Sequence, residues 1–294
     1  MDLTFAHYRN RFCMFRTYYA LAQGLVKPDG FNLSVIQLPD PPSQALEEAI
    51  IQGDVQVANL YLLRFLRHRM EGAPIVGIST EWKSTAKGNG LFVMADGPIK
   101  EPGDLAGRSI ATQHAGPHEV HTFLLKHEYG VDVTTLRWES YPQEVLLGML
   151  KDGKVDAVVL IDQFFFHGEM DSRVSCLYTD GDAWKSLFGF SEFIKHMIAV
   201  RESVIKEHPE LRENLLKAFR ASFAYSENHL EEIADKFLEQ YPGDRDALIA
   251  SARYPKIEFT FTEVERKMAE AQMEMLIATD QLPRRVDLSS AFVK

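Results

Sequence analysis

Residues 7–15 form the first segment of the sequence whose polar, cationic and aromatic side chains could bind a ligand or take part in catalysis. It contains the candidate ligand-binding residues Tyr8, Arg9 and Asn10, followed by Arg11. An apolar strand pattern precedes this run and a helical pattern follows it. The side chains therefore stand at an expected helix N-terminus, where backbone N–H groups attract anions. Arginine forks at this place suit a carboxylate or a sulfonate.

Cys13 lies in the first turn of the same expected helix. A thiol beside a helix N-terminus and near Arg9, Arg11 and Arg16 is expected to have a lowered pKa, which would make it a candidate nucleophile. Cysteine is also commonly a small, buried apolar residue. We favour the packing interpretation, and Cys13 is a catalytic candidate only if the protein is an enzyme.

A second segment, residues 112–121, concentrates histidines at the start of another expected helix. His118 and His121 lie near one helical face, an arrangement that also suits a metal ion. Because no H-E-x-x-H pattern is present, we favour a ligand-binding loop without a metal or other cofactor. His121 is a second catalytic candidate if the protein is an enzyme. The candidate ligand-binding residues of the segment are His114, Gly116, His118, Glu119 and His121.

Further polar and aromatic residues follow the expected strands or open the next helices. In open α/β sheets, ligands bind beyond the carboxyl ends of the strands, so residues at these places are candidates for a binding cleft. Such residues are more often part of the core or its cover. The candidates are Ser43 as the N-cap of the second helix, Asn59, Tyr61, Thr80, Trp82, Gln143, Asp162 and His196.

The elements that must position these residues alternate between short strands and helices in the first two-thirds of the chain. This alternation predicts mostly parallel sheets with helices on both faces. Residues 49–58 recur as residues 149–158: in each, a helix ends, a glycine and a polar turn follow, and a buried strand begins. Two copies of one plan predict two similar lobes. Helical patterns punctuated by prolines then occupy the last third.

Composition limits the classes of function. The chain has 294 residues, a formal net charge of −10 and no run of basic residues. We therefore do not expect it to bind nucleic acid or an anionic membrane surface, since both are negatively charged. Two cysteines are too few for a disulfide framework. No leader peptide is recognisable, which suggests a cytoplasmic protein, or a periplasmic one if the chain is a trimmed mature form. We expect a monomer or a dimer.

Four passages resemble the type 2 periplasmic-binding-protein fold, in the group of the alkanesulfonate-, nitrate- and pyrimidine-precursor-binding proteins and the thiamine-pyrimidine-synthase-like proteins. They are A-L-A-Q-G-L at 20–25 with F-N-L at 31–33, A-I-I-Q-G-D-V-Q-V-A at 49–58, P-G-D-L-A-G-R-S-I-A at 102–111 and L-K-D-G-K-V-D-A at 150–157. The resemblance implies a first lobe of residues 1–92 plus 201–294, a second lobe of residues 93–200, two crossovers forming a hinge near Leu91–Ala95 and Ile194–Val200, and a ligand cleft between the lobes.

The resemblance leaves two classes of function open. One is a binding protein of the ABC-importer type that closes on a small anionic or aromatic molecule, with a permease as its partner if it is exported. The other is a cytoplasmic desulfinase, decarboxylase or other lyase of the same fold, acting with cleft Cys, His and Arg residues on a small aromatic acid. Pro117 stands where the family's ligand loop has a serine, and the synthases' cysteine-rich segment is absent. We favour the binding protein.

Overall fold

The structure, a computed structural model, describes residues 1–39, 44–113 and 116–293. Its first sheet has six strands in the order β11-β4-β10-β3-β1-β2. Strands β1, β2 and β3 are parallel, whereas β10 is antiparallel to both β3 and β4, and β11 is antiparallel to β4. The strands are β1 (Asp2–Tyr8), β2 (Asn32–Leu38), β3 (Val57–Tyr61), β4 (Ile75–Ser84), β10 (Phe193–Arg201) and β11 (Lys256–Ile257).

The second sheet has five strands in the order β7-β6-β8-β5-β9. Strand β6 is parallel to β7 and β8, and β5 is antiparallel to β8 and β9. The mostly parallel sheets predicted from the sequence are thus each interrupted by one internal antiparallel strand, β10 or β5. The strands are β5 (Asn89–Met94), β6 (Ser109–Thr112), β7 (Arg137–Ser140), β8 (Ala157–Ile161) and β9 (Val174–Thr179).

Helices flank both sheets and make up most of the chain after β10, in agreement with the predicted two-lobed α/β fold. Those before β10 are α1 (Phe12–Ala22), α2 (Ala45–Gln52), α3 (Leu62–Met70), α4 (Pro117–His127), α5 (Gln143–Lys151), α6 (Gln163–Met170) and α7 (Asp180–Phe188). Those after it are α8 (Glu202–Glu207), α9 (Leu211–Asn228), α10 (Leu230–Leu238), α11 (Arg245–Arg253), α12 (Glu263–Ala278) and α13 (Leu288–Ala291).

The strand pairing shows that the two crossovers between the sheets lie at other residues than the sequence suggested. Strand β5 lies wholly in the second sheet and β10 wholly in the first. The chain therefore changes sheet at residues 85–88 and 189–192, and the expected boundaries at 92/93 and 200/201 divide two strands. A periodicity argument cannot show this, because both strands are equally apolar and the choice of sheet is decided by distant partners.

Helix starts set the positions of the site residues. Helix α4 begins as predicted with Pro117 at its first position, after Gly116 at a φ of 112°. Proline suits that position because it lacks the N–H that would be unpaired there. The predicted N-cap of α2, Ser43, lies outside the described residues, and the structure assigns that role to Gln44.

Candidate functional site

A cavity between the two lobes collects residues from both sheets. About 420 Å³ of space between its lining atoms, open solvent at its mouth included, is free of protein, and most of its lining is apolar. The first lobe contributes the end of β3, the start of β10 and α12, and the second contributes β8 and the N-termini of α4 and α7. The lining residues are Tyr61, Leu63, Gly116, Pro117, Val120, His121, Ile161, Asp180, Phe193, Ile194, Lys195 and Gln272.

Lys195 is the cationic side chain of this cavity. It is half-buried on β10, its Nζ donates a hydrogen bond to Asn89 Oδ1, and it lies 4.7 Å from the centre of the Trp82 ring. Burial lowers the pKa of Lys195 from its usual value, while the carboxylates of Asp162 and Asp180 act in the opposite direction. A cation with so little water around it interacts strongly with an anion placed in the cavity.

Asp180 is the carboxylate of the cavity, at the first position of α7. It is 2% exposed, and its Oδ1 has no hydrogen-bond partner within the part of the chain that the structure describes. Burial raises the pKa of Asp180 to about 7, although Lys195, the Gly181 N–H and Asn89 all lower it. The carboxyl group is therefore near the balance between its neutral and ionised forms at neutral pH.

His121, in the first turns of α4, is among the residues that line the cavity. A hydrogen bond of 2.8 Å joins its Nδ1 to the Tyr178 hydroxyl and fixes the ring. Burial lowers the pKa of His121 to about 3, and the nearby Lys195 and His118 add to this effect. The imidazole is consequently neutral at physiological pH and serves as a hydrogen-bonding group rather than as a cation.

Aromatic rings form the floor on the side of the first lobe. The Tyr61 ring lies 4.6 Å from the His196 ring and stacks at 5.2 Å on Tyr8, whose hydroxyl donates to Glu47. The His196 ring also lies 5.4 Å from Trp82. Tyr61 thus reaches the cavity, whereas Tyr8, Trp82 and His196 support it from behind.

A buried acid lies beneath this floor. Glu81 accepts a hydrogen bond of 2.5 Å from Asn59, which also donates to the Tyr18 hydroxyl at 3.1 Å. His196 Nδ1 is 4.0 Å from the same carboxylate. Burial raises the pKa of Glu81 to about 7 and lowers that of His196 well below its usual value. Asn59 therefore belongs to this internal network and does not line the cavity.

Direct contacts join the two lobes beside the cavity. Arg11, the N-cap of α1, forms an ion pair with Asp162 at 3.7 Å and donates a hydrogen bond to Gln113. Asn10 donates to Glu144 and accepts from Gln163 through its backbone carbonyl. Asp162 has a φ of 54°, a left-handed conformation that is costly outside glycine and that turns its carboxylate towards Arg11.

Several predicted site residues have other roles. Thr80 donates to the Thr260 carbonyl at 2.7 Å, and Gln143 donates to the Val159 carbonyl and accepts from the Ile161 N–H of β8. Arg9 is exposed on the surface. Strand ends locate a cleft, but the direction of each side chain decides whether it faces the cleft, and Thr80 and Gln143 are bonded to backbone groups.

The described residues of the histidine-rich segment 112–121 make different contacts. Glu119 accepts a hydrogen bond from the Gly116 N–H and forms an ion pair with Arg67 of the first lobe at 3.4 Å. His118 packs edge-on against Trp138, with its ring 4.8 Å away. His114 lies outside the described residues. Within the ranges that the structure describes, no group of three or more His, Cys, Asp or Glu side chains is placed to hold a metal ion.

Cys13 differs from the expectation of a lowered pKa. Its side chain is buried in the core beneath the first lobe's surface. Burial raises the pKa of the Cys13 thiol well above its usual range, and the carboxylates of Asp162 and Glu81 raise it further against Arg11 and Arg16. The helix N-terminus and the arginines lower the pKa of the thiol, but the loss of hydration on burial raises it by more.

Lys195 and Asp180 are two charged lining residues that the sequence analysis missed. Lys195 interrupts the apolar run from Phe193 to Val200, and a charged residue in a buried strand was the available signal. Asp180 follows Thr179 at a helix start, where aspartate is common for reasons of helix stability alone. Only the three-dimensional structure shows that Asp180 is among the residues that line a cavity.

Known structures share the complete fold. The periplasmic aliphatic sulphonate binding protein SsuA from Escherichia coli aligns with a TM-score of 0.77 at 14% identity, covering 100% of this chain and 92% of the other. The alkanesulfonate-binding protein SsuA from Xanthomonas axonopodis bound to MOPS aligns with a TM-score of 0.77 at 14% identity, covering 99% and 98%. The CA3427 gene product of Candida albicans, described with the generic periplasmic binding protein fold, aligns with a TM-score of 0.72 at 14% identity, covering 100% and 96%.

These alignments establish a periplasmic-binding-protein fold. A family model described as NMT1/THI5 like matches residues 14–233, which is most of the chain, and the protein belongs to this family. No curated protein sequence matches significantly. Among the described residues, no helix is both long and apolar enough to cross a membrane.

Proposed function

We propose that the protein is a ligand-binding protein whose lobes close on a small acid in the cavity between them. The observation that carries this proposal is Lys195, a half-buried cation in a mostly apolar cavity lined by both lobes. An anion bound there gains a charge-assisted hydrogen bond in a site of low dielectric. The N-terminus of α4 lies on the same cavity and favours negative charge.

The apolar lining supports an organic acid over an inorganic anion. Leu63, Val120, Ile161 and Ile194 surround the space above Tyr61, so a carbon skeleton removes apolar surface from water there. The structural neighbours named for aliphatic sulphonate and alkanesulfonate binding fit this chemistry, and so does a carboxylate.

The import role is the finer part of the proposal. Binding components of ABC importers deliver a ligand to a membrane permease, and such a permease would be the partner of this protein after export. Ligand binding that holds two lobes together also stabilises the folded state, by an amount that rises with the logarithm of ligand concentration. Residues 85–88 and 189–192, where the chain changes sheet, would serve as the hinge.

The test is a binding screen with defined acids. The panel is 1-propanesulfonate, benzenesulfonate, butanoate, benzoate and MOPS, each followed by thermal unfolding and by calorimetry. At a concentration about a hundred times the Kd, a true ligand adds about 2.7 kcal/mol to the free energy of unfolding. Small-angle scattering should then show a more compact molecule.

A pair of lysine variants provides the control. Lys195→Met should weaken binding of the best panel acid at least tenfold, because the cation is lost from the cavity. Lys217→Met should leave binding unchanged, since Lys217 is exposed and pairs with Asp29 on the surface. Equal affinity for both variants, or no stabilisation by any acid of the panel, would refute the proposal.

A further inference from the structure

Asp180 is held in a fixed position at the cavity wall. The next residue, Gly181, is pressed against the crossover backbone: a Cβ atom built there would lie 2.1 Å from the Thr85 carbonyl oxygen. Helix α7 begins at this contact, with the Thr179 side chain accepting a hydrogen bond from the Asp182 N–H. The backbone of Asp180 is therefore anchored on both sides, which keeps the residue at the cavity wall.

The carboxylate of Asp180 is left incompletely bonded by the protein. Its Oδ1 is buried without a hydrogen-bond partner among the described residues, which costs free energy unless something in the cavity donates to it. Lys195 is not a partner of that oxygen, and its Nζ donates to Asn89 Oδ1. Lys195 and Asp180 both line the cavity, so a ligand held there would lie near a cation and near an unsatisfied carboxylate oxygen.

We infer that Asp180 binds an N–H or O–H donor of the ligand, so that the ligand is a small acid that also carries an amino or hydroxyl group. This inference rests on the proposed function: Lys195 holds the acidic group and Asp180 holds the donor. The pKa of Asp180, raised to about 7, agrees with a buried carboxyl group that lacks one partner. A bound ammonium group would lower that pKa and hold the carboxylate ionised.

The competing explanation is that Asp180 only stabilises the start of α7. Carboxylates at this position interact favourably with the helix dipole wherever they point. Asp182 offers a matched comparison, because it lies in the same first turn of α7 but is exposed and bonded to Thr179. A role restricted to helix stability predicts similar effects of the two residues and no effect of either on the choice of ligand.

The experiment compares three acids that differ in one group: 1-propanesulfonate, 3-hydroxy-1-propanesulfonate and 3-amino-1-propanesulfonate. Calorimetry on the wild-type protein should show at least tenfold tighter binding of one or both donor-bearing acids than of 1-propanesulfonate. Asp180→Asn should reduce this preference to threefold or less, and Asp182→Asn should preserve it. A preference for the amino compound over the hydroxy compound would show that charge contributes as well as hydrogen bonding.

The outcomes separate the two proposals. Equal binding of the three acids to the wild-type protein would overturn the inference about Asp180 while leaving the proposed function intact. A preference that survives in Asp180→Asn would also overturn it. If none of the three acids and none of the wider panel binds, the proposed function falls and the inference falls with it. The wild-type comparison decides the matter even if Asp180→Asn does not fold.

Discussion

The guanidinium of Arg11 in the first lobe lies 3.7 Å from the carboxylate of Asp162 in the second, and both side chains are almost fully buried. Arg11 is at the start of α1 and Asp162 directly follows β8, so the ion pair spans the cleft beside the cavity. A charge left alone in such a place is strongly destabilising. The pair therefore couples the stability of the protein to the closure of its lobes.

Arg11→Met should favour an open arrangement of the lobes. The uncompensated Asp162 carboxylate costs about 3–5 kcal/mol if it stays buried, and opening the cleft hydrates it. We expect a larger radius of gyration in small-angle scattering and a lower melting temperature. Arg9→Met, two residues away at an exposed position, is the control and should change neither quantity. An unaltered scattering profile for Arg11→Met would show that the ion pair does not hold the lobes together.

Glu81 should make stability fall as pH rises. Its pKa is about 7 in the folded protein and 4.5 in the unfolded chain, so the folded state binds more protons between these values. The contribution of Glu81 to the free energy of unfolding is fully present below pH 4.5. It is lost as the pH rises to about 7, and the total loss is about 3 kcal/mol. The buried histidines change stability in the opposite direction below pH 6.5, because their pKa values are lowered.

The variant Glu81→Gln isolates this carboxyl group. Urea unfolding at pH 5 and pH 8 should show the variant gaining stability relative to the wild-type protein as pH rises, since Gln cannot ionise. The contributions of the more distant histidines His7 and His121 cancel in the difference between the two proteins. A difference that is the same at both pH values would mean that Glu81 titrates normally.

Cys13 should react slowly in the native state. Its thiol is buried and its pKa is raised, so both access and the thiolate fraction are low. Iodoacetamide labelling near pH 7.5, followed by mass spectrometry, should modify Cys13 more slowly than the half-buried Cys176, and urea should expose both. Cys13→Ala should cost about 1 kcal/mol and leave ligand affinity unchanged. Fast native labelling that a bound acid prevents would instead support an enzyme with a cysteine nucleophile.

The sequence predicted the plan of the fold better than the details of the site. The repeated Gly53 and Gly153 turns have positive φ values of 100° and 68°, as the internal repeat implied. His121, Tyr61 and Asp162 also lie at the cleft. Other predicted side chains are bonded elsewhere: a strand end gives a location, but hydrogen bonds to distant backbone, such as that of Thr80 to Thr260, set the side-chain direction. No local pattern encodes those distant partners.

Gly181→Ala should disrupt the crossover. The added methyl group would lie 2.1 Å from the Thr85 carbonyl oxygen, and the three nearest atoms are all backbone, so relief requires movement of the chain. We expect a loss of at least about 2 kcal/mol in urea unfolding. Gly148→Ala is the matched control: Gly148 is an exposed glycine within α5 with open space around it, and alanine should stabilise it by up to about 1 kcal/mol. Equal effects of the two changes would contradict the close contact at residue 181.

His121→Ala should weaken binding of the tightest acid of the panel at least tenfold, about 1.4 kcal/mol, while the protein still folds. The neutral ring lines the cavity and is fixed by Tyr178, so Tyr178→Phe should cause a smaller loss by releasing the ring without removing it. His127→Ala, at the exposed end of the same helix, is the control. Because the pKa of His121 is about 3, the ratio of wild-type to His121→Ala affinity should stay constant between pH 5.5 and 8. Calorimetry at these pH values measures both the affinity loss and its pH dependence. A ratio that rises steeply below pH 6.5 would show that His121 binds the acid as a cation. Equal affinities of the wild-type and His121→Ala proteins would show that His121 does not contact the ligand.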